Sequence, residues 1–407
     1  MRSTHVEVPT VKRKAARRSA TALLSVCALS GAVLLAPASA SAAEGDYIFT
    51  KLLDSADGYS PYSFGCAAIN TRGDVVTKAE RVNPYDEYDT AEVVVRANRA
   101  GGLTTIVDED DAGLRSLGRQ PEINDSGQVV MWARGFGSRN EFILRGRGGP
   151  LTVIAGTQPR AGQLPVAFYN FSVDPAINND GLVAFRGEVL ADGDEGLWSG
   201  NGGPLTNHYL ASQGRFSGAN EEVSMNNDGQ IAFEEHADGQ NGIFRGTNGE
   251  FVTIASEPGL SVEEPSLNEA GTAAFYGTEF VEDSQVFSVL TGTGGPLTTV
   301  ADSTGAFDRF GFRGPAINNQ GDVAFFAYLD SDQYYSQPGG IFTGPDVDAD
   351  KVIGTGDTLD GKTVTDVTFC ESGLSNSGQL AFTAYFEDPD TYELRTAVYR
   401  ATPVAPQ

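Results

Sequence analysis

Pro315-Ala-Ile-Asn318-Asn-Gln-Gly321-Asp-Val-Ala324-Phe325-Phe326 places two apolar runs on either side of an Asn-x-x-Gly turn, and the chain repeats this pattern seven times. The copies align without gaps on the glycine: Ile69-Asn70-Thr-Arg-Gly73, Ile123-Asn124-Asp-Ser-Gly127, Ile177-Asn178-Asn-Asp-Gly181, Met225-Asn226-Asn-Asp-Gly229, Leu267-Asn268-Glu-Ala-Gly271, Ile317-Asn318-Asn-Gln-Gly321 and Leu374-Ser375-Asn-Ser-Gly378. An Ala-Phe pair follows in five of them, at Ala184-Phe185, Ala232-Phe233, Ala274-Phe275, Ala324-Phe325 and Ala381-Phe382. The second copy has Val130-Met131 and the first Val76-Thr77. A fixed unit of roughly 40–60 residues points to a repeat architecture.

Each unit reads as four short strands. The first ends at the Ile-Asn, and the second carries Ala-Phe. The third is an apolar trio such as Gly242-Ile-Phe-Arg245, and the fourth resembles Leu297-Thr-Thr-Val-Ala301. Period-two alternation punctuated by Gly, Asn and Pro is the pattern of strands and hairpins. In the turn, an Asn side chain accepts a backbone N–H two residues on, and Gly supplies positive φ. The repeated Asn and Gly, with Ser375 in the last copy, are therefore assigned to structure. So is Ala-Phe, a small residue for close approach beside a ring that fills the gap between sheets.

The strand count indicates how the units are joined. The third strand of the last unit, Ala397-Val-Tyr-Arg400, is followed by only seven residues, so that unit lacks its fourth strand. Phe49-Thr-Lys-Leu-Leu-Asp54 matches Leu103–Asp108 and Leu297–Asp302 position by position. The expected fold is an all-β, seven-bladed β-propeller in which this N-terminal strand completes the last blade. Closing the ring protects the sheet edges. An open β-solenoid is the alternative, but it gives no reason to split a unit between the two ends. Cys66 and Cys370 lie before the turns of the first and seventh units, seven and eight residues ahead of the glycine. They become neighbours only in a closed ring, where a disulfide would reinforce the seam; two buried free thiols are the alternative.

Residues 1–42 read as a signal peptide, with a basic start, an apolar run over 20–36 and Ala40-Ser41-Ala42 as the cleavage site. Residues 43–407 then form one seven-repeat domain. Losing the leader takes the net charge from −26 to −31. So acidic a chain repels nucleic acid, whose phosphates need basic patches. No second apolar span is present, so a secreted, extracellular monomer is expected. Its partner would be an unknown extracellular ligand or protein.

The Asn-x-x-Gly-x-x-Ala-Phe pattern behind an export signal resembles the exported bacterial proteins with tandem NxxGxxAF repeats, a family without an established activity. The resemblance covers nearly all of residues 43–407 and implies class and location only. The first and seventh copies depart from it most.

Chemistry-bearing motifs are sparse. After the leader only His208 and His236 remain, neither in a metal or triad motif. Asp346, Asp348 and Asp350 alternate as calcium ligands do, although Lys351 stands where a calcium loop needs Gly. A polar turn is the simpler reading, and no cofactor other than calcium suggests itself. The second-to-third and fourth-to-first connections, such as 328–340 and 155–173, are expected to be the longer ones and to share one face. Any ligand site belongs there, near the axis. The leading expectation is a secreted, non-catalytic, ligand- or protein-binding scaffold. A propeller glycoside hydrolase or polysaccharide lyase using carboxylates is the alternative.

Overall fold

The computed structural model describes residues 47–404, apart from 84, 138–139, 158–166, 173, 218–221, 283, 312, 332–336 and 388–390. The leader lies outside the described residues.

The described chain forms seven antiparallel sheets, one per repeat. Blade 5 shows the plan: Leu260–Leu267, Ala273–Val281, Ser284–Gly292 and Thr298–Asp302 pair in sequence order. Blade 7 is the composite. Lys362–Thr368, Leu380–Glu387 and Leu394–Pro403 are completed by Tyr47–Asp54, which pairs antiparallel with Leu394–Pro403 from Tyr47↔Pro403 to Asp54↔Ala397. The N-terminal strand thus closes the last blade of a seven-bladed propeller.

Packing gives the same topology. An open row of seven sheets has six interfaces, whereas a ring has seven. Among the described residues there are seven apolar clusters, each joining two successive blades. The one containing Leu52, Leu53, Ala381 and Val398 of blade 7 with Ile69, Val75 and Val95 of blade 1 is the interface an open row would lack. Ala-Phe works across these gaps. Phe233 meets Ala184 of the preceding blade, Phe275 meets Ala232, Phe325 meets Ala274 and Phe382 meets Ala324. All eight side chains are fully buried. At the seam Thr77 replaces the ring, and Phe64 enters that cluster instead.

Two features differ from the sequence reading. The first strand is broken in blades 2, 3 and 6, for example into Phe168–Phe171 and Ala176–Ile177. Both pieces pair with the same second strand. The second-to-third connections are tight in several blades: Ala237 pairs with Gln240, and Val281 with Ser284. In blades 1 and 5 the extra residues lengthen the strands, as in Val75–Asn83 and Asp86–Ala97.

Candidate functional site

The repeated turn is an architectural device. Asn70 Oδ1 accepts the N–H groups of Arg72 and Asp74 at 3.1 and 3.0 Å, and the Gly73 N–H returns to the Asn70 carbonyl at 2.9 Å. The seven turn glycines have φ between 74° and 88°, a region that disfavours side chains. The asparagine also reaches the next blade. Asn70, Asn124, Asn226 and Asn268 each donate Nδ2–H to the carbonyl of the following turn asparagine.

The residue after each asparagine forms a relay that sequence reasoning missed. The N–H of Thr71 donates to Asp125, and the same donation runs from Asp125 to Asn179, Asn227, Glu269, Asn319 and Asn376 in turn. Asn376 Nδ2 then contacts Thr71 Oγ1 at 3.4 Å, which closes the circle. From Asp125 to Asn376, each of those side chains accepts a backbone N–H of the neighbouring blade and so helps to hold the ring.

The seam uses a covalent bond. Ser375 Oγ accepts from Ser377 and Gln379 as the asparagine would, but it has no amide arm to reach blade 1. Cys66 and Cys370 are joined in a disulfide there. The offset of one residue is absorbed by a tight turn in which the Gly373 N–H donates to the Cys370 carbonyl. Arg400 of blade 7 also donates to the Gly73 carbonyl at 2.8 Å, as Arg96 does to Gly127 and as Arg145 and Arg245 do to Gly181 and Gly271.

Asp346, Asp348 and Asp350 lie in the third-to-fourth turn of blade 6. Asp346 Oδ1 accepts from the N–H groups of Asp348 and Ala349, and Asp350 Oδ2 accepts from Asp346 N–H. The carboxylates of Asp346 and Asp350 are thus committed to turn closure. Among the described residues no three His, Cys, Asp or Glu side chains are grouped so as to hold a metal. His208 is buried between blades 3 and 4. Its Nδ1 accepts from Asn248 N–H at 3.0 Å, so a neutral ring carries its proton on Nε2, facing Ser199 Oγ at 2.9 Å. A serine-activating base needs the opposite polarity. Burial pulls this histidine down to about 4, which keeps it neutral.

Functional chemistry gathers on the axis instead. The residue before each turn asparagine (Ile69, Ile123, Ile177, Met225, Leu267, Ile317, Leu374) contributes to an apolar collar. The collar lines a bowl of about 160 Å³ on the turn side. Six of its members also line a cavity of about 140 Å³ that reaches Glu122, Ser224, Ser266 and Glu371. Seven residues before each turn glycine stand Cys66, Gln120, Asp174, Glu222, Glu264, Gly314 and Glu371. The first strand runs from the variable-loop face towards the turn face, so this layer lies on the variable-loop side of the collar. An alignment by repeat position, rather than a motif search, would have exposed it.

These groups act on one another. Gln120 Nε2 donates to Glu371 Oε1 at 3.2 Å, and Ile177 N–H donates to Glu122 Oε2 at 3.1 Å. Arg313 Nη1 stands 3.7 Å from Glu222. Burial, then the charges of Glu371 and Asp174, push Glu122 up to about 8. Glu222 and Glu264 are also driven well above the usual carboxyl range, first by burial and then by the charge of Glu371, with Glu264 adding to the effect on Glu222 and Glu263 to that on Glu264. Burial raises Glu371 as well. Glu264 holds φ of +57°, and its carbonyl would lie 2.5 Å from any Cβ at position 314, which accounts for Gly314 in a layer otherwise bearing side chains.

On the same face, large apolar side chains are exposed in the second-to-third connections, Tyr85 at 96 %, Phe136 at 69 % and Tyr392 at 77 %, and at the end of the second strand of blade 5, Phe280 at 75 %. Tyr62, in a fourth-to-first connection, is exposed as well.

Residues 69–400 match the model of a family of unknown function, DUF7453. The chain belongs to this family. The DUF7453 match runs from the first collar residue to the third strand of blade 7, and so leaves out the closing strand Tyr47–Asp54. No curated protein matches the sequence. Among solved structures, the chain is similar to the polysaccharide lyase Uly1, with 10 % identity, TM-score 0.45 and coverage of 84 % of this chain and 90 % of that one. It is also similar to YCF48 bound to D1 peptide, with 10 % identity, TM-score 0.38 and coverage of 90 % and 100 %. A third is the calcium-binding protein regucalcin from Agrobacterium tumefaciens, with 16 % identity, TM-score 0.36 and coverage of 71 % and 92 %. Among the described residues no helix is long and apolar enough to cross a membrane.

Proposed function

We propose that this chain is an exported binding scaffold that holds an extracellular ligand against the variable-loop face. The carrying observation is the pairing, on one face, of exposed rings at Tyr62, Tyr85, Phe136, Phe280 and Tyr392 with a carboxyl-lined axial pocket. Scattered single apolar residues are ordinary on a protein surface, but a set of exposed rings gathered on one face offers a docking feature. Aromatic tips offer contact area at low entropic cost, and sugar faces or a partner's apolar side chains can stack on them. On the turn face, one polar side chain per blade is tied into the relay. Net charge of −26 favours neutral or cationic ligands over nucleic acid.

A second reading has one observation in its favour. Carboxyls held protonated near neutral pH, as Glu122 is, can serve as general acids in glycan cleavage. Glycan-array and extracellular-protein binding, run beside reducing-sugar release and ultraviolet detection of unsaturated products, separates the two. Binding that is lost in Phe136→Ala/Tyr392→Ala without turnover supports the scaffold. Turnover abolished by Glu264→Gln or Glu371→Gln replaces it with the enzyme.

A further inference from the structure

Buried oxygens without hydrogen-bond partners gather in the axial layer. Glu264 Oε2, Glu371 Oε2 and Gln120 Oε1 are buried and make no hydrogen bond. Gln120 is itself 4 % exposed, and its amide nitrogen is already fixed on Glu371, which places its free oxygen beside that carboxyl. A buried polar atom without a partner calls for an explanation, and three in one axial layer, one of them on Glu371 in the cavity wall, call for a shared one. Arg313 stands 3.7 Å from Glu222 and its charge also reaches Glu264 and Glu371. The other charged groups acting on the cluster are Asp174, Glu122, Glu234 and Glu263, all acidic.

We infer that this pocket receives a protonated primary amine. An ammonium carries one positive charge and three N–H donors with no acceptor, so it suits an array of unpaired oxygens and draws the neighbouring carboxyls into their charged form. Quaternary ammonium has the charge without the donors. A directly ligated metal would need three grouped donor side chains, which the described residues do not provide. A cavity of about 140 Å³ has room for about four to five waters, or for the end of an aminoalkyl chain or one amino-sugar substituent. The inference rests on the axial part of the proposed binding face and names the chemistry that part selects. The amine can come from a free polyamine or from an amino sugar.

Isothermal titration of residues 43–407, disulfide intact, tests it with butane-1,4-diamine, glucosamine, N-acetylglucosamine, tetramethylammonium and calcium at one ionic strength. The inference expects one-site binding of the diamine or of glucosamine, whichever is the source. It expects at least about tenfold weaker binding of N-acetylglucosamine and tetramethylammonium. Glu264→Gln and Glu371→Gln, checked for unchanged unfolding midpoints, should each weaken amine binding about tenfold. Ile48→Ala, on the exposed outermost strand of blade 7, should leave it unchanged. No amine binding at millimolar concentration, equal binding of tetramethylammonium, or tighter competing binding of calcium overturns it. If amines bind while the rim variants alter no ligand, the scaffold reading fails and this one stands. If rim-dependent ligands bind without amines, the reverse holds.

Discussion

Replacing Glu122 by glutamine should remove a large part of the protein's loss of stability on going from about pH 5 to about pH 9. Five other blades place Ala or Ser at this repeat position (Ala68, Ala176, Ser224, Ser266, Ala316), and blade 7 places Gly373. In blade 2 a carboxyl lines the axial cavity, and it is pushed from 4.5 to about 8 chiefly by burial. The folded protein therefore holds a proton here that the unfolded chain has released. That contribution is complete below about pH 4.5 and is lost as pH rises through about 8. At about 1.4 kcal/mol per pKa unit, the shift corresponds to roughly 5 kcal/mol above both values. Water in the channel screens this, so a difference of about 2–4 kcal/mol is expected. Glutamine keeps an oxygen for the Ile177 N–H and cannot ionise. Urea unfolding of both proteins at pH 5, 7 and 9 measures the difference, with the remaining carboxyls common to both. The variant should be close to wild type at pH 5 and more stable by that amount at pH 9. Parallel pH profiles would refute the placement of an ionisable group in a low-dielectric axial wall.

The seam supplies two further predictions. Cys66→Ser/Cys370→Ser should cost about 2–5 kcal/mol in unfolding free energy while the far-ultraviolet spectrum is kept. Chain entropy for a separation of 304 residues sets an upper figure of about 6 kcal/mol, and the strand pairing across blade 7 survives the change. Ser375→Asn should add about 0.5–1 kcal/mol in the same assay by supplying the amide arm that four other turns use. Between blades 3 and 4, Arg186 Nη2 meets the fully buried Glu235 at 2.6 Å, and Tyr209 donates to the same carboxylate. Arg186→Met should cost about 3–5 kcal/mol by leaving that carboxylate without its cation, whereas Arg186→Met/Glu235→Leu should recover most of it. Melting midpoints of the set check the order.

The fold was legible because its signals are local and repeated. Asn-x-x-Gly states a turn, Ala-Phe states an interface, and Phe49–Asp54 states a strand displaced to the other end. The seam disulfide followed from the same ring logic. The axial site was not legible as a motif, because its members come from separate strands and become neighbours only when the circle closes. Glu222, Glu264 and Glu371 resemble any surface acid in a chain with 54 Asp and Glu. Only their common offset from the glycine sets them apart. The hydrogen-bond relay was missed for the opposite reason: Thr71, Asp125, Asn179 and Glu269 differ in type while sharing one geometric task. Tight second-to-third hairpins replaced some expected loops because residues such as 75–83 and 86–97 continue in extended pairing, which alternation alone cannot separate from loop length.

Amide hydrogen exchange of the closing strand tests the ring most directly. In the oxidised protein the amides of Phe49, Lys51 and Leu53 should exchange as slowly as those of Val398 and Arg400 on the strand they pair with, and should remain slower than the 2→3 loop tips after the disulfide is reduced. Exchange of 47–54 at loop rates in the oxidised protein would contradict a propeller closed by its N-terminal strand.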